Sequence, residues 1–139
     1  MKTVHRYHIL LLCLVLGTVT AFAQSENIEW EAKSHLVSID GYDVEIESNL
    51  DKQGSIFSWE QVSNLSSRTQ HYTVTSVTGS WDSQHDLGNI AYTLSSEDDG
   101  ATLSVVGTAE GITMELTIID GNGSPFKSHV FTIDTFTNL

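Results

Sequence analysis

The densest run of chemically versatile side chains is Gly79-Ser80-Trp81-Asp82-Ser83-Gln84-His85-Asp86. An indole face stacks on sugars or other flat apolar groups, while carboxylate, amide and imidazole groups around it supply directional hydrogen bonds. Trp81, Asp82, Gln84, His85 and Asp86 are therefore the candidate ligand-binding residues. The same composition also suits a wet loop behind a tryptophan that plugs one end of a core.

Asp120-Gly121-Asn122-Gly123-Ser124 places oxygen ligands at alternating positions, as the first half of a calcium loop does, so Asp120 and Asn122 are the candidate metal ligands. The twelfth position, where a bidentate Glu would complete such a loop, holds Phe131, and Asp-Gly-Asn-Gly is equally an ordinary hairpin turn. Calcium is the one cofactor the sequence suggests. His35, His71, His85 and His129 form no i, i+2 or i, i+4 pair of the kind zinc sites often show. No Gly-x-Ser-x-Gly elbow occurs, and the only cysteine, Cys13, lies inside an apolar N-terminal run. With 18 acidic residues in the chain, no carboxylate pair is diagnostic by spacing alone. These features point away from an enzyme.

Lys2 and Arg6, the apolar run Ile9–Leu16 and the small-residue exit Ala21-Phe22-Ala23 read as a secretory signal peptide over residues 1–23. The run is shorter than the roughly 20 apolar residues a membrane-spanning helix needs. The Ala-Phe-Ala-Gln exit is similar to those of Gram-negative envelope proteins, which implies a periplasmic or secreted location. Residues 24–139 then form one domain with no cysteine, held by apolar burial and sheet hydrogen bonds alone. Cleavage removes two cations and no acid, leaving 18 acidic residues against Lys33, Lys52, Arg68 and Lys127, a net of about −14. Four scattered cations make no track for nucleic acid or anionic lipid.

The elements that must position these residues read as strands. Leu103 and Val105 share one face, Ile112, Met114, Leu116 and Ile118 share another, and Gly107 and Gly111 bracket the loop between, which predicts a hairpin over Ala101–Ile119. Ile28, Trp30 and Ala32 alternate with Glu29, Glu31 and Lys33. Tyr42, Val44 and Ile46 alternate with Asp43, Glu45 and Glu47 in the cleanest period-2 segment of the chain. Pairing of these two strands would bring Glu29 and Glu31 near Asp43, Glu45 and Glu47 unless the register staggers them.

Ser58 and Gln61 match a capping box, but Phe57 and Trp59 alternate as in a strand, and the strand is the favoured reading over this stretch. Gln70–Val77 predicts a strand ended by Gly79, with Trp81–Asn89 as a loop. Ile90, Tyr92 and Leu94 mark the next strand, and Phe126–Thr135 closes the chain. About eight strands on short links, with no segment long enough for a crossover helix, predict an antiparallel meander closed as a small up-and-down barrel, with a two-sheet sandwich as the alternative.

The expectation is an exported, non-enzymatic β-domain that binds a ligand or partner, a glycan or small apolar molecule, through loops at one end. A structural or assembly subunit of an envelope or surface complex is the second reading, and a calcium-dependent module the third.

Overall fold

A computed structural model describes residues 27–139; the signal-peptide reading over 1–23 lies outside the described residues. The chain folds into nine antiparallel strands: β1 Trp30–Ile39, β2 Tyr42–Gln53, β3 Ile56–Val62, β4 Ser67–Asp82, β5 Leu87–Ser95, β6 Gly100–Thr108, β7 Gly111–Ile119, β8 Pro125–Thr132 and β9 Thr135–Asn138. Each strand pairs with the next from β1 to β8, and β8 pairs back onto β1, so eight strands close as a meander barrel. Beyond β8 the short β9 continues along β1.

Side chains at alternate positions fill the interior. Trp30 lies 6.1 Å from Phe57, 6.4 Å from Tyr92 and 5.8 Å from Phe136, ring centre to ring centre. Trp59 meets Phe131 edge-on at 5.1 Å and His129 at 4.9 Å. The polar atoms drawn inside mostly find partners: Trp30 Nε1 donates to Tyr92 Oη at 3.0 Å, and Trp59 Nε1 donates to Ser48 Oγ at 3.2 Å. Lys52 is fully buried, its Nζ donating to Asn27 Oδ1 and to the Ile28 carbonyl, and burial pushes its pKa down. The interior behind Trp30 and Trp59 is therefore a packed aromatic core.

The hairpin over Ala101–Ile119 forms as β6 and β7, with Leu103, Val105, Met114 and Leu116 buried. The stretch from Ile56 to Val62 is strand, because Phe57 and Trp59 reach the interior only at period 2. Three expectations change.

Gly79 does not end β4. At φ 99° it lies close against the Asn89 carbonyl, which a Cβ would meet at 2.0 Å, and pairing runs on through Gly79–Ile90 and Trp81–Gly88, which shrinks the loop to Ser83–Asp86. The last strand is not continuous through Thr135, because Ile133 and Asp134 interrupt it.

Tyr42 and Val44 keep the inner-face parity of Leu50 and Lys52, but β2 outruns β3 there, so they emerge beyond the barrel wall, 78% and 39% exposed. The acids of β1 and β2 are staggered, one of the two outcomes the sequence left open, by the register that the Asp40–Gly41 turn sets, and that register shifts at a bulge between Ser34 and Leu36. Asp43 faces Ser38 and Glu45 faces Leu36, while Glu31 faces Asp51, whose carboxyl is raised first by desolvation and then by Glu31.

Candidate functional site

β4 and β5 extend past β3, and their far end is held across one mouth of the barrel by close backbone approaches. Gly107 sits beneath it: a Cβ there would come within 2.1 Å of the Asp86 carbonyl oxygen and 2.6 Å of the Trp81 ring. Gly88 likewise admits the Ser80 carbonyl, which a Cβ would meet at 2.3 Å. The absent side chains let Trp81 drop inward, where it is 4% exposed and 5.4 Å from the Phe136 ring.

The five candidate residues therefore divide. Trp81 is a plug in the core, whereas Asp82, Gln84, His85 and Asp86 belong to or flank the tip that covers it. Asp82 organises that tip: its Oδ2 lies 2.7 Å from His85 Nδ1 and its Oδ1 accepts the Gln84 N–H at 3.0 Å. Those contacts, the His85 side chain first, hold the Asp82 carboxyl below its ordinary pKa. Asp86, in the left-handed region at φ 55°, accepts from Asn138 Nδ2 at 2.7 Å, and the same amide donates to the Ser83 carbonyl at 3.2 Å. The tip is thus fastened to β9.

Beside this closure the barrel wall splits. β8 leaves β7 after the Thr113–Thr132 pair, and β9 follows β1 alone. Asp134 pins the divergence to the β1 bulge: its Oδ2 accepts the His35 N–H at 2.9 Å, and its carboxylate oxygens stand 2.7 and 2.8 Å from His35 Nδ1. That pair raises the His35 pKa, through the hydrogen bond and then the charge.

The split leaves an open cleft of about 370 Å³, of the size class of small-molecule sites. Ile112, Ile133 and Phe136 supply apolar lining, and His85, Asp86, Thr108, Glu110 and Asp134 supply polar groups. Two of the sequence candidates, His85 and Asp86, line it. Glu110, Asp134 and Phe136 were missed because strand patterning does not show where a barrel seam opens. The one available signal was Asp134 interrupting an otherwise β-prone C-terminal run.

Two buried polar atoms at this end, Trp81 Nε1 and Asn138 Oδ1, have no hydrogen-bond partner among the described residues. A buried donor without a partner costs about 1–3 kcal/mol, so it favours any group able to reach it.

Asp120 and Asn122 lie far along the chain in the β7–β8 turn. One Asp120 carboxylate oxygen accepts the backbone N–H groups of Asn122 and Ser124, both at 2.9 Å, and the Asp120 N–H donates to the Ser124 carbonyl at 2.9 Å. The carboxylate thus shapes the turn. Among the described residues no group of three or more His, Cys, Asp or Glu side chains is placed to hold a metal.

No family model, no curated protein and no solved structure matches this chain.

Proposed function

We propose that this chain is an exported, non-catalytic recognition domain that binds a glycan through the cleft between the Ser83–Asp86 tip, the β6–β7 turn and β9. The observation that carries the reading is the split seam beside Trp81, which combines apolar lining with side-chain carboxylates and hydroxyls at one opening. A sugar has the same two-sided character: C–H faces suited to Phe136 and Ile133, and hydroxyl groups suited to Asp86, Glu110, Thr108 and Thr135. A packed interior favours recognition at the surface over carriage of a ligand inside the barrel.

The test is a screen of residues 24–139 against arrayed glycans, with basic peptides and small apolar molecules as further arms, followed by titration of the hits. His85→Ala and Glu110→Ala alter exposed side chains, so the fold and melting temperature are expected to survive while glycan affinity falls tenfold or more. Hits confined to the peptide or apolar arms, an empty screen, or glycan affinity unchanged in both variants would overturn the reading.

A further inference from the structure

The opposite end of the barrel presents a second surface. The β1–β2 hairpin turns through Asp40 and Gly41, both at positive φ, 49° and 89°, the pattern of a type I′ turn closed by the Ile39–Tyr42 pair. In an antiparallel ladder the bonded pairs alternate, so Ile39–Tyr42 and Val37–Val44 exchange hydrogen bonds while the N–H and C=O groups of Asp43 and Glu45 point the other way. The Asp40 N–H bond to the Ser128 carbonyl, 3.1 Å, agrees with that parity: along Leu36–Ile39 it turns the even-numbered positions of β1 toward β8 and the odd ones toward β2.

Farther along β2 the outward-facing groups pair with β3, but the last such pair is Glu47–Val62, after which β3 turns away through Ser63–Ser66. Among the described residues, Asp43 and Glu45 therefore hold unpaired backbone donors and acceptors in the lane that β3 has left. Their strand also carries exposed Tyr42 and Val44 on the inner-face side, and Leu65, 97% exposed, tips the adjoining β3–β4 turn. On the outer-face side the stretch carries Asp43, Glu45 and Glu47 and no cation.

Charge selects the occupant. A second copy laid edge to edge would bring these carboxylates against their own kind, and like charges opposite one another destabilise strand pairing. An extended segment that alternates apolar and cationic residues meets both faces favourably. Its apolar side chains lie over Tyr42 and Val44, and its cations face Asp43, Glu45 and Glu47.

We propose that the free edge of β2 over Tyr42–Ile46 is a strand-docking site for a basic, alternating apolar–cationic segment of a partner protein, which extends the sheet along the lane beyond Val62.

The probe is a seven-residue peptide of alternating Lys and Val, with the Glu–Val peptide as control, titrated into residues 24–139 and followed by amide chemical shifts and hydrogen exchange. Saturable binding of the Lys peptide is expected, with shifts concentrated at residues 42–47 and at least tenfold slower exchange at the Asp43 and Glu45 amides. Glu45→Pro removes an outward N–H that the barrel does not use and should abolish binding. The double variant Asp43→Lys with Glu45→Lys keeps every backbone group and should reverse the preference to the Glu peptide. No binding at millimolar peptide, shifts centred elsewhere, or unchanged preference in the double variant would each overturn the proposal. So would a concentration-dependent dimer joined through β2, which would assign the edge to a second copy. Either result is independent of the glycan screen, because the two surfaces share no residue.

Discussion

At the Trp81 end, β4 and β5 fold over the mouth, a tryptophan fills it, and Asn138 ties the tip to the last strand. At the Tyr42 end, a shorter projecting hairpin leaves its aromatic residue in solvent. Both hairpins outrun their neighbours on one side, so pairing alone does not separate them. Glycine does. Gly79, Gly88 and Gly107 allow backbone and ring approaches that a Cβ would block, whereas β2 has no glycine between Tyr42 and Gln53 to let it bend inward. One end is shut by close packing, and the other is left as a strand edge guarded by carboxylates.

Trp81→Ala should break this contrast most severely. Removing a buried indole typically costs about 3–5 kcal/mol, which for a domain of this size corresponds to a fall in melting temperature of about 10 °C or more. A calorimetric shift of only a degree or two would mean that Trp81 is not the closure.

Gly107→Ala comes next. Its methyl group would stand where the Asp86 carbonyl and the Trp81 ring now sit, so a loss of about 1–3 kcal/mol is expected in denaturant titration. Accelerated amide exchange near Asp86 should accompany it.

A smaller effect separates the ends by pH. His129 is 6% exposed and its pKa is lowered, by burial first and by Lys127 second. A base depressed in the folded state contributes stability that is present above its unfolded pKa near 6.5 and is lost as pH falls toward the folded value. His35 runs the other way: raised by Asp134, its contribution is full below about 6.5 and fades as pH rises through the folded value. Thermal melts of His129→Gln should lose slope on the acid side, and those of His35→Ala on the alkaline side; exchanged slopes would refute the assignment.

The smallest effect belongs to Tyr42→Ser, which removes an exposed ring and should leave stability within about 0.5 kcal/mol. A large loss would show the Tyr42 end to be packed after all.

Much of the barrel was legible because inward residues recur at period 2: Leu103, Val105, Met114 and Leu116 announce their face without any tertiary information. Tyr42 and Val44 carry the same signal and end up exposed, since period 2 reports which side of a strand is apolar and not how far the neighbouring strand extends. The polar loop was legible in its residues, and of the two readings of Trp81 the core plug is the one that agrees with its 4% exposure. Gly107, more than twenty residues from Trp81, creates the seat for the ring, and only the folded pairing brings the two together. Asp134 was hidden for a related reason: its role depends on a bulge in a strand about one hundred residues earlier.

β1 has three partners, β2 on one side and β8 with β9 on the other. A chain emerging from its N-terminus can form the β1–β2 hairpin at once, but the other edge of β1 has nothing to pair with until residues 125–138 exist. Closure is thus the last event and the most non-local one, carrying the loop-closure entropy of nearly the whole domain. Until then the open meander exposes Trp30 on a strand paired along one edge only, a surface prone to wrong association. The final strands, β8 along Leu36–Ile39 and then β9 with Phe136 against Trp30, therefore act as a completion check: a chain truncated before Pro125 should remain an open sheet however well its first seven strands are formed.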